Sequence, residues 1–223
     1  MIVSSTEPIT LVGGGLLSAA DFNLTLPLAP GLVAADGGAD RALAFGHSPQ
    51  AVIGDFDSIT DKARAAIPKE QQHLMAEQDS TDFEKALREV SAPLIIGIGF
   101  TGARMDHQLA VFNTLVRYPE KRCILLGEHE VLALCPPSFR LDVAAGTTVS
   151  LFPMGAVEGV SDGLKWPIGG LHFAPDGQSG TSNMATGPID IAVTAPKLLM
   201  MLPRAVLPQM VEALLNTASH WQG

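Results

Sequence analysis

The sequence predicts an α/β protein in two parts: an N-terminal parallel sheet flanked by helices, then a C-terminal all-β region. Three observations carry this. Up to Tyr118, short apolar runs alternate with segments of helical spacing, the pattern of parallel strands joined by helices. From about Arg122, helical periodicity gives way to short β-prone runs broken by Gly and Pro, and it resumes only in a tail after Arg204. The loops that follow the early strands are rich in aspartate and glycine, as expected where the carboxyl ends of parallel strands share one edge.

Composition sets the limits. With 223 residues, 47% hydrophobic and 17% charged, the chain has ample material for a core and lies outside the disordered class. A formal charge of -9 and only 14 Lys and Arg argue against a nucleic-acid surface. An acidic protein still binds nucleotide when a metal ion screens the phosphates. Cys123 and Cys135 form no CxxC pattern, so both are expected as reduced, buried thiols rather than zinc ligands. No apolar run reaches the roughly 18 residues of a membrane span, and the start lacks a basic lead, so a cytoplasmic protein is expected.

Taken in order, Ile9 to Val12 is a strand running into Gly13-Gly14-Gly15. These glycines lack both the Lys-Ser/Thr ending of a P-loop and the G-x-G-x-x-G spacing, so by themselves they mark a tight strand-to-helix turn. Leu32 to Ala35 is a second strand ending at Asp36, Gly38 to Phe45 has helical spacing, and Ala51 to Ile53 leads into Gly54-Asp55. In extended backbone, side chains two apart point the same way. Asp55 and Asp57 are therefore expected to converge while Phe56 turns inward, giving a hard-cation and phosphate site. An acidic residue after a strand is commonly a solvated turn residue, but this doublet costs repulsion unless a cation relieves it.

Ser58 is placed to cap a helix to about Ile67, with Asp61 in its first turn. Gln71 to Met75 reads as a strand, and Asp79 or Ser80 as the cap of a helix through Val90 that carries Asp82 in its first turn. Leu94 to Ile98 is a β-branched strand closed by Gly99, Gly102 and Arg104, before an amphipathic helix from Met105 to Tyr118. Asp36, Asp55, Asp79 with Asp82, and the stretch from Gly99 to Asp106 thus meet at one sheet edge. Beyond Arg122 the expected strands are Cys123 to Leu126, Val131 to Cys135, Thr148 to Phe152 and Ile189 to Val193. The tail from Arg204 to Trp221 is expected to be helical, with Pro208 in its first turn.

Six motifs in order give the chain a family resemblance. They are Ala35-Asp36-Gly37-Gly38-Ala39, Gly54-Asp55-Phe56-Asp57-Ser58, Gln78-Asp79-Ser80-Thr81-Asp82-Phe83, Gly102-Ala103-Arg104-Met105-Asp106-His107, Gly163-Leu164-Lys165-Trp166 and Thr181-Ser182-Asn183. On these the chain resembles the thiamine pyrophosphokinases, departing from their pattern at Ala103, Gly180 and Met184. The resemblance implies transfer of pyrophosphate from ATP to the hydroxyl of thiamine, giving thiamine diphosphate and AMP, with Mg²⁺. It also implies an α/β ATP-binding domain over residues 1–125, a β-sandwich over 126–223 that binds thiamine and dimerises, and a homodimer with active sites between subunits.

Under that resemblance Asp55, Asp57 and Asp82 are the expected metal holders, and with Arg104 they form the catalytic set. ATP contacts are expected from Asp36, Gly37, Gly38, Gln78, Asp79, Thr81, Lys85, Gly102, Arg104 and Asp106. The planar fork of Arg104 suits phosphate, and Lys85, one turn beyond Asp82, reaches the same charge. Asp55 or Asp57 is the candidate base, ahead of His107. Trp166, Thr181, Ser182 and Asn183 are the expected thiamine contacts, the indole stacking on the cationic ring.

Two rivals share some of these features. An Asp-x-Asp after an apolar strand also opens phosphatases of the haloacid dehalogenase type, but that motif wants Thr or Val where Ile59 stands. A non-catalytic thiamine or nucleotide sensor has less need of the full acidic set.

Overall fold

The structure is a computed structural model that describes residues 1–222. It divides into two units, one of residues 1–114 with 125–127, the other of residues 115–124 with those from 128 onward.

The first unit begins with β1 (Val3–Ser4), β2 (Ile9–Val12), α1 (Ala19–Thr25), β3 (Gly31–Ala35), α2 (Gly38–Ala44) and β4 (Ala51–Gly54). It continues through α3 (Asp61–Ala66), β5 (Gln72–Leu74), α4 (Asp82–Glu89), β6 (Val90–Ser91), β7 (Ile95–Ile98) and α5 (Met105–Arg117), whose last turn lies past the division, and β8 (Cys123–Leu126) crosses that division. All four residues of β2, β4 and β7 are buried, which is why they read as unbroken apolar runs instead of alternating ones. β2 pairs in parallel with β7 from Ile9 opposite Ile95 to Val12 opposite Ile98, and β3, β4 and β5 form a second parallel set in that order. Helix α2 packs on β2 and β3, and α4 on β3 and β4. Every strand of these sets therefore delivers its carboxyl end to the same side, where Gly13, Asp36, Asp55 and Gly99 follow.

Two helix starts differ from the expectation. Thr60, not Ser58, caps α3 by accepting the Ala63 N–H at 3.2 Å. Thr81, not Asp79 or Ser80, caps α4 by accepting the Glu84 N–H at 3.2 Å. In both cases the nearer polar residue is already used, since the Ser58 hydroxyl donates to Asp57 and the Ser80 hydroxyl to Glu77. Helix α1 is the helix that a strand-to-helix turn at Gly13-Gly14-Gly15 calls for; its bounds were not read from the sequence, although Ser18 and Asp21 form a capping box at its start.

The second unit is built from β9 (Glu130–Leu134), β10 (Ser138–Leu141), β11 (Thr148–Pro153), β12 (Val157–Leu164), β13 (His172–Phe173), β14 (Gly180–Val193) and β15 (Leu198–Pro203). Its strands are antiparallel in the order β13-β12-β14-β11-β15-β9, with β10 also on β14. The long β14 serves three neighbours along its length. Its first residues pair with β11, and Ile189 to Val193 pair with β10 and β12.

A short 3-10 turn at Arg204–Val206 precedes α6 (Leu207–Asn216), with Pro208 in the first turn as expected. The helix stops at Asn216 instead of reaching Trp221. There the tail exchanges helical bonds for contacts with the body of the unit: Arg122 donates to the Thr217 carbonyl at 2.8 Å, and the Trp221 indole donates to the Cys135 carbonyl at 2.9 Å. Cys123 and Cys135 are buried and form no disulfide among the described residues, and burial pushes the Cys135 thiol up to about 12. Among the described residues no helix is long and apolar enough to cross a membrane.

Candidate active site

Three carboxylates meet where β3 and β4 end. Asp36, Asp55 and Asp57 each offer an oxygen within 4.8 Å of the others. The reason differs from the expected one. The strand ends at Gly54, and Phe56 adopts a left-handed φ of 64°, so a turn rather than extended backbone brings Asp55 and Asp57 together. Phe56 pays for this strained position with its packing, against Ala34, Ala39, Val52 and Ile67 and under the Arg64 guanidinium at 5.2 Å.

Asp36 is fully buried and also left-handed, with φ 41°. A Cβ on Gly54 would lie 2.7 Å from that of Asp36, so only glycine lets the two strand ends approach this closely. One Asp36 oxygen accepts the Ser58 N–H at 3.0 Å, while Oδ1 is buried with no hydrogen-bond partner among the described residues. Burial raises the Asp36 pKa to about 6, against the Ser58 hydrogen bond and with help from the charges of Asp82 and Asp57.

The loop before α4 and the helix itself bring the next groups. Lys85 is buried, its side chain 2% exposed, and its ammonium bridges Asp55 at 3.0 Å and Asp82 at 3.2 Å. Gln78 donates to the same Asp55 oxygen at 3.0 Å. Burial works against ionisation of Asp55, but the bonds from Lys85 and the Asp57 N–H prevail and hold its carboxyl below the usual range. Asp82 goes the other way: burial, assisted by Asp55 and Asp57, outweighs Lys85 and raises it. Burial likewise opposes the Lys85 charge, yet its two carboxylates raise its pKa. Lys85 is thus committed to aspartates. Asp79 is exposed and, among the described residues, joins no hydrogen bond or ion pair.

These groups border a cavity of about 730 Å³ within the first unit. Its wall includes Gly14, Gly37, Arg41, Asp55, Thr60, Thr81, Asp82, Lys85, Phe100, Arg104 and His107. Asp57, Gln78, Asp79, Gly102 and Asp106 are exposed outside that wall, and Gly38 lies beneath it, where a Cβ would come 2.0 Å from the Val12 carbonyl oxygen. Arg104 is exposed and forks onto Asp106 at 2.7 and 3.2 Å. Arg41 and Thr60 were not singled out from the sequence. Their signal was spacing: Arg41 follows Gly37 by four residues, one turn along α2, and so shares its face.

The expected thiamine contacts lie in the second unit. Asn183 is buried and locks the segment holding Trp166, donating to the Trp166 carbonyl at 2.7 Å and accepting its N–H at 3.2 Å. The Trp166 indole remains 53% exposed, with the Lys165 ammonium over its ring at 4.6 Å. Ser182 takes a left-handed φ of 61° and donates its N–H to the Ser150 hydroxyl, and Thr181 beside it is exposed.

Comparison with known proteins gives a consistent picture. The family described as "Thiamin pyrophosphokinase, catalytic domain" matches residues 22–126, and "Thiamin pyrophosphokinase, vitamin B1 binding domain" matches residues 138–198. The thiamine pyrophosphokinase of Bacillus subtilis is 36% identical over 154 residues, covering 63% of this chain and 72% of its own. The thiamin pyrophosphokinase structure from Geobacillus thermodenitrificans superposes with a TM-score of 0.72 at 27% identity, covering 88% of this chain and 96% of that one. The structure from Candida albicans reaches 0.76 at 16% identity, over 90% of this chain and 92% of that one, and shows the shared mixed α/β fold.

Proposed function

The chain belongs to the thiamin pyrophosphokinase family, and from that premise we propose how its own residues transfer pyrophosphate from ATP to thiamine. The observation that carries the proposal is the acidic corner of Asp36, Asp55 and Asp57 beside a cavity of nucleotide size.

The corner fits Mg²⁺. Its donors are all oxygen, and Asp36 Oδ1 is buried without a partner, a costly state that a cation relieves. Bound there, the metal would neutralise polyphosphate oxygens as charge develops. Asp36, Asp55 and Asp57 would hold it, with Asp82, one of whose oxygens is taken by Lys85, adding negative charge nearby. Asp55 is fixed by Lys85, Gln78 and the Asp57 N–H, whereas Asp57 is exposed and meets the Ser58 hydroxyl and the Asp36 carboxyl. Its exposure makes Asp57 the acceptor of the thiamine hydroxyl proton as oxygen attacks the β-phosphorus and AMP leaves. Arg104 swings from Asp106 to the phosphates, and Gly37, Gly38, Gln78, Asp79, Thr81, Gly102 and Asp106 shape the nucleotide side.

Residues 1–125 form the ATP domain and residues 126–223 a β-sandwich, a reading supported by the way β14 serves two sets of partners. Thiamine lies on the exposed Trp166 face, with Thr181, Ser182 and Asn183 around it, in a homodimer. Two buried cysteines outside any disulfide suit a reducing compartment, and we place the protein in the cytoplasm. Incubation with ATP, Mg²⁺ and thiamine, read by mass, should give thiamine diphosphate and AMP in equal amounts. Phosphate or ADP without thiamine diphosphate would overturn the proposal.

A further inference from the structure

We infer that Arg41 is the cation that first grips the polyphosphate of ATP, before Arg104 leaves Asp106, a role that rests on the pyrophosphokinase reading above. Among the described residues, three permanently cationic side chains line the cavity: Arg41, Lys85 and Arg104. Two of them are already neutralised. Lys85 is held between Asp55 and Asp82, and Arg104 is forked onto Asp106. Among the described residues Arg41 has no carboxylate partner, because the neighbouring Asp40 spends its oxygens on the backbone N–H and hydroxyl of Thr60.

A polyphosphate entering an acidic corner needs positive charge that is not yet spent. Arg41 supplies it at no cost of breaking an ion pair. Its Nε donates to the Gly14 carbonyl at 3.3 Å, which anchors the guanidinium plane to the glycine turn after β2. The two terminal nitrogens are then left for the bidentate geometry that phosphate oxygens accept. Lys85, by contrast, is a positioning residue. It sets Asp55 and Asp82 in place and does not touch the nucleotide.

The test is calorimetry of the full-length protein with Mg²⁺ and, in separate titrations, ATP, inorganic pyrophosphate and adenosine, all without thiamine. Arg41→Gln should weaken ATP and pyrophosphate roughly 10- to 100-fold, the loss of one or two charge-assisted bonds, and leave adenosine unchanged. Arg41→Lys, which keeps the charge and loses the fork, should fall between the variant and the wild type. Unchanged ATP affinity in Arg41→Gln, or an equal loss for adenosine, overturns the inference. A wild-type protein that forms no thiamine diphosphate would instead overturn the underlying reading, and the parallel activity assay separates the two failures.

Discussion

Asp57 is exposed, and its carboxylate accepts from the Ser58 hydroxyl at 2.8 Å and lies against the like charges of Asp36 and Asp55, so the fold depends on it little. Asp57→Asn is therefore expected to lower kcat at least about 100-fold while moving Tm by no more than about 2 °C. Steady-state kinetics beside a melting curve checks both halves, and near-normal turnover would remove Asp57 from the mechanism. Asp36 makes a prediction about pH. Its pKa rises from an ordinary 3.8 to about 6 on folding, chiefly through burial. For a group raised in this way, its contribution is intact below 3.8 and is lost as pH climbs through about 6, a difference of about 3 kcal/mol. In metal-free protein Asp36→Asn should gain stability over wild type across that window, and urea melts at pH 4 and pH 7 would measure it. A constant difference at both pH values would show that Asp36 does not titrate there. At this scale the sequence exposed the chemistry better than the geometry. The doublet of Asp55 and Asp57 was legible as residue types, but the left-handed Phe56 that joins them was not, and Asp36 was legible at the same sheet edge as an ATP contact but not as the third carboxylate of the cluster. Backbone sign and charge pairing are set by tertiary neighbours, which one-dimensional spacing does not record.

The helix α4 links the residue scale to the fold, since Asp82 opens it and Lys85 lies one turn on. Its start depends on the Thr81 hydroxyl accepting the Glu84 N–H. Thr81→Ala should cost about 1 kcal/mol, and it should lower kcat as well, because fraying of the first turn loosens the Lys85 bridge. Thr81→Ser keeps the acceptor and should restore both, as chemical denaturation and kinetics would reveal. Equal stability in Thr81→Ala and wild type would show that another group caps the helix. The buried strands β2, β4 and β7 were legible because parallel strands covered on both faces are uniformly apolar. In β12 and most of β14 polar and small residues alternate with Gly163, Gly187 and Pro188, so only the apolar end from Ile189 stood out. The run Leu198–Pro203 of β15 was hidden for the opposite reason. Leu and Met carry no strand preference, and pairing with β11 and β9 decides the conformation.

Across the whole molecule, every member of the acidic corner and its Lys85 clamp lies in the first unit, whereas Trp166, Ser182 and Asn183 lie in the second. Magnesium should then act on the first unit before any substrate is present. A ligand that binds only the folded state stabilises it by about 2.7 kcal/mol at one hundred times its Kd, and Mg²⁺ alone should therefore raise Tm measurably. Hydrogen exchange followed by mass localises the effect. Peptides spanning residues 36–38, 54–60 and 77–85 should slow their exchange when Mg²⁺ is added, because repulsion among Asp36, Asp55 and Asp57 is what the cation removes. Peptides from β12 and β14 carry none of those carboxylates and should be unaffected until thiamine is added. Asp57→Asn should abolish the Mg²⁺ response in the first set. Protection that appears equally in Asp57→Asn, or first in β14, would place the cation somewhere other than this corner.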